Sequence, residues 1–488
     1  MNNLYDILKK QRNNSNILTD GNDSWTYKQI YEYIERKNLT DIIPLENKNI
    51  GILMHNSIEF VLAYFLILKH GFTVVPINPN LNLEDLRKEL KFCEIKYLFV
   101  NDETLDLFYD ISENLGCTLL NISNTCNQSL PKTVILVESL NKKGPKKHNV
   151  NEVAVLLQTS GTTSNPKKVM LTHKNILSNI KQHLESVKLT HNDKVLIALP
   201  MYFGYCLTSQ LLSHMYLGSN IHIAKEEIFP KKIVKLINSY NINTLALVPS
   251  HLVLLLNYAK KVGVKFCELK FIFFGGGNMP LNELFQLKTL FPNISFIQTY
   301  GQTEASPRIT TQTSQNISKL ASVGKPVNNL SLKVIDKNGH NCPSHCIGEI
   351  VIKGANIMKG YYKNPSETNK IIKNDWLYTG DLGYLDNDGY LYIKGRKKNI
   401  IISSGINIYP EEIEEYLLNH PRIIDVLVKG QLHNVYGEIV TAFIQSDSLS
   451  VENIKSFCKK GLSSYKIPKE IKLVKNIEKT YNGKNKRI

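Results

Sequence analysis

"QTSGTTSNPKKVMLTHKN", residues 158–175, is the stretch on which the reading of this chain turns. Between Thr159 and Lys168 it gathers five hydroxyl side chains, one glycine and two lysines, directly after the apolar run "VAVLLQ". A short apolar run of this kind reads as a buried strand. Successive backbone N–H groups in a loop of small residues form a nest for anions, to which the hydroxyls and Lys167 add donors and charge. A Walker-type loop requires Gly-Lys-Ser/Thr opening a helix. Here Pro166 precedes the lysines and "VML" returns to a strand, so this is a phosphate loop of another design.

Outward from the loop, short apolar runs alternate with amphipathic helices. Thr26 and Gln29 form a capping box ahead of "YKQIYEYIERK". "SIEFVLAYFLILKHG" reads as a buried helix closed by Gly71, and Asn82 with Asp85 caps "NLEDLRKEL". "TVVPINP" and "IKYLFVND" are strands, and the rhythm continues through "KVLIALP", "NIHIAK", "INTLALVPS" and "LKFIFFGG". This alternation predicts α/β layering around mainly parallel sheets, with ligands at the carboxyl ends of the strands. Near residue 345 the texture changes to short strands broken by Gly and Asp-Gly turns, "GEIVIKG", "GYLYIKG" and "NIIISSG", a β-rich closing region. From about 399 the helix "PEEIEEYLLN" and the strands "IDVLVKG" and "IVTAFIQ" read as a small separate unit. The expected fold class is α/β. A large N-terminal domain of layered mixed and parallel sheets with helices spans 1–396, its β-rich subdomain about 320–396, and a small α+β C-terminal domain spans 397–488.

Lys and Arg number 59 against 43 acids, a formal net charge of +16 that favours anionic partners. The lysines are dispersed and not interleaved with aromatics on one face, which argues against a nucleic-acid or membrane-surface binder. The N-terminal "MNNLYDILKKQRNN" lacks the apolar core of a secretion signal. The longest apolar run, from Phe60, meets Lys69 after nine residues, whereas a membrane span needs roughly 20. Eight scattered cysteines fit a reducing cytoplasm, the expected location. "HNCPSHC" (340–346) invites a zinc reading, yet no second cluster follows at zinc-like spacing.

"TSGTTSNPKKV" resembles the signature of the adenylate-forming superfamily, which includes acyl-CoA synthetases, adenylation domains of peptide synthetases and luciferases. Ser164 and Lys168 stand where that pattern has glycine, which restricts φ; Lys168 offers a second cation instead. Further stretches match in order: "FFGGGNMP" (273–280), "QTYGQTEAS" (298–306), "SVGKP" (322–326), "MKGYYKNPSET" (358–368), "WLYTGDLGYLDNDGYLYIKGRKKN" (376–399) and the terminal "EKTYNGKNKRI", in which Glu478 replaces Pro and Asn482 replaces Ser. The resemblance covers almost the whole chain.

The resemblance implies a reaction in two steps: a carboxylic acid and ATP give an acyl-adenylate and pyrophosphate, and a thiol then displaces AMP. It places Thr159, Ser160, Gly161, Thr162, Thr163 and Lys167 on the ATP phosphates, and Gly276, Gly277, Gln298, Thr299 and Tyr300 around the adenine, with Tyr300 stacking. Thr303 donates to the α-phosphate, Glu304 holds Mg²⁺, and Asp381 and Arg396 bracket the ribose. Lys484 falls on the catalytic lysine. The small domain is expected to be mobile, rotating about Lys398 so that Lys484 withdraws and Gly405 lets a pantetheine arm pass; Lys225 matches a CoA-phosphate contact. "LPMYFGYCLTS" (199–209) aligns with a segment lining the acyl pocket, where Phe203 and Tyr205, with Gly275, make an apolar wall. No acid occurs between Asp193 and Glu226 to hold an α-ammonium, so a fatty or aryl acid is favoured over an amino acid. The expected thiol is CoA, with an acidic acyl carrier protein bearing phosphopantetheine as the alternative.

Overall fold

The computed structural model describes residues 1, 3–21, 23–108, 116–122, 134–136, 149, 151–159, 167–225, 229–277, 279–314, 316–403, 406–433, 437–479 and 485. Two large sheets make the main body. One has eight strands in the order Gly360–Tyr361, Lys168–Thr172, Val153–Gln158, Thr73–Ile77, Asn49–Leu53, Tyr97–Val100, Thr118–Asn121 and Val134–Leu136. Its last six strands are parallel, and the first two lie antiparallel along one edge. The other sheet has nine strands. Its parallel centre runs Ser295–Gly301, Phe271–Gly275, Thr244–Leu247, Lys194–Ile197, Asn220–Ile223 and Ile17–Thr19.

The helix Ile58–Lys69 explains how the two sheets are held together. Ser57 caps it by accepting from the Phe60 N–H, and every residue but Glu59 is buried. Its apolar side chains join one core with Ile50, Val74 and Val155 of the first sheet and Val195, Ile197 and Ile221 of the second. Each such side chain contributes about 1.5–3 kcal/mol relative to exposure. Lys69, which breaks the apolar run in the sequence, is itself buried: its Nζ donates to the carbonyls of Ile34 (2.7 Å), Glu35 (3.0 Å) and Lys37 (3.0 Å). The charge thus caps the helix Tyr27–Arg36, which opens with the Thr26–Gln29 capping box.

A third, antiparallel sheet of Ser331–Ile335, Gly348–Lys353, Trp376–Leu385, Ile372–Lys373 and Leu391–Arg396 is the β-rich closing region. The fourth sheet joins Ile401–Ser403, Ile406–Ile408, Ile423–His433, Gly437–Ser446 and Glu470–Leu473. Its core is built entirely from residues between Ile401 and Cys458, with the helices Pro410–Leu418 and Val451–Gly461 on it. One assignment changes. The strand Ile401–Ser403 of "NIIISSG", read with the closing region, belongs to this last sheet, because Ser403 pairs with Gly437 and Ile401 is buried in the C-terminal core.

Candidate active site

The sequence motifs converge because they occupy the carboxyl ends of parallel strands. Thr159 follows Val153–Gln158, Met201–Tyr205 follows Lys194–Ile197, Gly276 follows Phe271–Gly275, and Gln302–Glu304 follows Ser295–Gly301. Two glycines are there because backbone passes close. A Cβ on Gly275 would lie 2.4 Å from the Thr299 carbonyl oxygen, and one on Gly301 would lie 2.0 Å from that of Pro307.

Val153–Gln158 and Lys168–Thr172 form an antiparallel pair that brackets the phosphate loop, closed by the Thr159 N–H donating to the Lys167 carbonyl at 3.0 Å. Lys167 then turns back over the site. Its Nζ pairs with Glu367 and lies 4.9 Å from the Tyr361 ring centroid. Hydrogen bonds from Lys167 and Lys370 pull the Glu367 carboxyl down to about 2. Lys168, expected to serve as a second cation on the phosphates, faces the other way. As the first residue of its strand it is buried, 2% exposed, and its Nζ is ion-paired with Glu89 of the helix Leu83–Phe92. That pairing commits the charge to the interior.

Glu304 sits in the short turn Thr303–Ala305, and its Oε1 accepts the Tyr361 hydroxyl at 2.8 Å. Tyr361 comes from "MKGYYKNPSET", which adds the edge strand Gly360–Tyr361 beside Lys168–Thr172. A cleft of ≈ 470 Å³ opens here, lined by Gln302, Glu304, Tyr361, Tyr378 and Arg396 among others. A carboxylate facing this cleft suits a hard, oxygen-seeking cation such as Mg²⁺.

Asp381 and Arg396 are cross-strand neighbours in the closing sheet. Asp381 Oδ1 pairs with Arg396 Nε at 2.6 Å, and its Oδ2 accepts the Tyr300 hydroxyl at 2.6 Å. Tyr300 is thereby held by its hydroxyl, which fixes the plane its ring presents. Asp381 is buried and Arg396 half-buried. Asp381→Asn is expected to weaken AMP binding roughly tenfold to 100-fold, because a charge-assisted acceptor is lost. Calorimetric titration with AMP checks this, and an unchanged affinity excludes Asp381 from the nucleotide site.

Phe203 and Tyr205, expected to line the acyl group, come from one short segment after the strand Lys194–Ile197. Phe203 precedes a short helical turn, Gly204–Cys206, which runs into a π-helix at Leu207–Leu212, a distortion absent from the sequence reading. The rings of Tyr202 and Phe203 lie 4.5 Å apart. Thr299 Oγ1 donates to the Phe274 carbonyl at 2.9 Å and lies 3.5 Å from the Tyr205 hydroxyl, whose proton it can accept. Phe203, Tyr205, Gly275 and Thr299 thus share one neighbourhood with Arg308, whose guanidinium carbon lies 5.2 Å from the Tyr205 ring centroid.

Other positions sit apart. Lys225 pairs with Asp20 at 2.9 Å, with Glu59 and Asp23 bearing on its charge, so any anion there meets acidic neighbours. Lys398 lies in the turn Lys397–Asn399 between the third and fourth sheets, and Asn399 donates to Glu411 at 2.8 Å. Gln298 lies in the middle of the strand Ser295–Gly301, and Gly277 lies two residues beyond the strand Phe271–Gly275. Ser160, Gly161, Thr162, Thr163, Ser164, Gly405, Asn482 and Lys484 lie outside the described residues. Sequence reasoning missed Glu367 and Arg308 and gave Tyr361 no chemical role. Tyr361 and Glu367 were inside a quoted motif, whereas Arg308 carries no local signal and shows itself only through burial.

The motif-bearing loops gather at strand ends, with the Tyr202–Phe203 aromatic pair beside them. The family of AMP-binding enzymes matches residues 7–362, and its C-terminal domain matches 412–484. The chain belongs to this family. It is 31% identical over 439 residues to a 2-succinylbenzoate–CoA ligase of Bacillus licheniformis, covering 89% of this chain and 87% of that protein. The o-succinylbenzoate CoA synthetase MenE of Bacillus subtilis has been solved with its acyl-adenylate intermediate; it superposes with a TM-score of 0.86 at 25% identity, covering 100% of this chain and 97% of that one. The same enzyme with ATP and a magnesium ion gives a TM-score of 0.87 at 25% identity, covering 100% and 98%. The chain is therefore an AMP-forming acid–thiol ligase. Among the described residues no helix is long and apolar enough to cross a membrane.

Proposed function

We propose that this enzyme activates an aryl or arylalkyl carboxylic acid with ATP and passes the acyl group to CoA. The observation that carries the reading is the aromatic wall of Tyr202, Phe203 and Tyr205 beside Gly275 and Thr299, with no acid between Asp193 and Glu226 to receive an ammonium. Relatives that act on succinylbenzoate point the same way.

In the first step an oxygen of the acid attacks the α-phosphorus, a new C(O)O–P bond forms, and the bond to pyrophosphate breaks. An anion meets a polyanion, so the protein's work is positioning and charge neutralisation. Asp381, Arg396 and Tyr300 hold the nucleoside end. Thr303 donates to the α-phosphate. Lys167, freed from Glu367, and Lys484 neutralise the phosphates. Mg²⁺ held by Glu304 supplies further charge neutralisation when bound. In the second step the CoA sulfur attacks the acyl carbon, the C–O bond to AMP breaks, and the thiol proton passes to solvent. The small domain rotates about Lys398 between the steps.

A pyrophosphate-release screen over fatty, aryl and amino acids tests this, with the best acid then offered CoA or a carrier protein and the products weighed by mass spectrometry. Aryl acids are expected to lead and to yield acyl-CoA. A leading fatty or amino acid, or acyl transfer to carrier protein alone, overturns it.

A further inference from the structure

We propose that Arg308 is the specificity-determining residue of the acyl pocket, and that it selects acids carrying a second carboxylate remote from the one that is adenylated. The inference rests on the acyl-pocket reading above and names the substrate class more narrowly.

Arg308 opens the strand Arg308–Thr311 and lies opposite Gly301, just before the Thr303–Ala305 turn. Its backbone is clamped on both sides by Asn179, which accepts from its N–H at 3.0 Å and donates to its carbonyl at 2.9 Å. Its side chain is buried, 2% exposed. It lies against the ring and hydroxyl of Tyr205, within the wall assigned to the acyl group. Its Nε is buried with no hydrogen-bond partner among the described residues. Apart from burial, the group that bears on its charge is Tyr205. No carboxylate among the described residues answers it.

Other cations in this fold are treated differently. Lys69 has three carbonyl oxygens, Lys168 has Glu89, and Arg396 has Asp381. An unanswered buried cation is costly, and the fold supplies acceptors elsewhere. The charge of Arg308 also bears on His183, which is buried in T-shaped contact with Phe273 and has no partner at Nδ1 among the described residues. Burial first, then the charges of Arg308 and His214, hold its pKa well below the usual histidine range, so it stays neutral. The polar groups bearing on one another here are thus a cation, a neutral imidazole and a phenol, each able to donate to an anionic oxygen.

A second carboxylate supplies the missing counter-charge, and a neutral end group leaves it missing. That asymmetry is how a site rejects an analogue lacking one polar group. The same cation repels an ammonium, consistent with the exclusion of amino acids.

The test compares acids matched in skeleton: 2-succinylbenzoate against 3-benzoylpropionate, and adipate against hexanoate. The wild-type enzyme is expected to favour the diacid of at least one pair by about 100-fold in kcat/KM for pyrophosphate release, the size of effect that follows stranding one member of a buried charge pair. Arg308→Met is expected to invert that preference through KM, and Arg308→Lys to retain part of it. Thermal midpoint and AMP affinity establish that each variant is folded. If Arg308→Met does not fold, the wild-type ratio and Arg308→Lys decide. A wild-type preference for the monoacid in both pairs, or a ratio unmoved in the folded variants, overturns the inference and leaves acid activation intact. Release with none of the four acids removes the acyl-pocket reading, and the inference with it.

Discussion

Lys484→Ala is expected to lower pyrophosphate release by about 100- to 1,000-fold, while transfer of a supplied acyl-adenylate to CoA continues nearly unchanged. The two half-reactions have different electrostatic demands. Bringing a carboxylate onto the α-phosphorus of ATP sets negative charge against negative charge, and a cation aimed at the developing charge is worth most there. Displacing AMP by sulfur departs from an already neutralised acyl carbon. Of the described residues, Lys479 bridges to Asn485 and pairs with Asp425 of the fourth sheet at 2.8 Å, and Asn485 donates to the Val426 carbonyl at 2.8 Å. Separate assays of the two half-reactions check this, and equal losses in both rule out the assigned role.

Lys168→Met is expected to destabilise the main body by ~3–5 kcal/mol, because it leaves Glu89 charged and buried without its partner. Both side chains are nearly inaccessible, at 3% and 8%. Replacing both together, Lys168→Met with Glu89→Leu, is expected to recover most of the loss, since an apolar pair of similar volume suits the site about as well. Denaturant midpoints of the two variants make the comparison. A single variant as stable as the parent refutes the buried pair. The same reasoning bears on the phosphate loop. Where the family signature has glycine, this chain anchors the first strand residue after the loop to the helix Leu83–Phe92.

Much of the site is legible in the amino-acid sequence, and the reason is local chemistry. Phosphates, ribose and Mg²⁺ are recognised by loops whose residue types must appear in tight strings, so "TSGTTSNPKKV", "QTYGQTEAS" and the Asp381–Arg396 stretch announce themselves. Helix starts are equally local: Thr26–Gln29, Ser57 and Asn82 act within one turn. Lys69 illustrates the opposite case. In the sequence it interrupts an apolar run. In the fold it is a buried cap, because the three carbonyls that receive it belong to another helix end more than 30 residues away.

The sequence alone determined the α/β layering, since periodicity and turn chemistry are properties of neighbouring residues, and the resemblance of its ordered strings to the adenylate-forming superfamily implied the class of reaction. Only the tertiary structure decided where the buried charges go and which sheet claims a strand. Lys168 turned inward to Glu89, "NIIISSG" joined the C-terminal sheet, and Arg308 came to rest against Tyr205 without a carboxylate. Burial and long-range pairing set the cost of a charge, and neither can be read from the residues beside it.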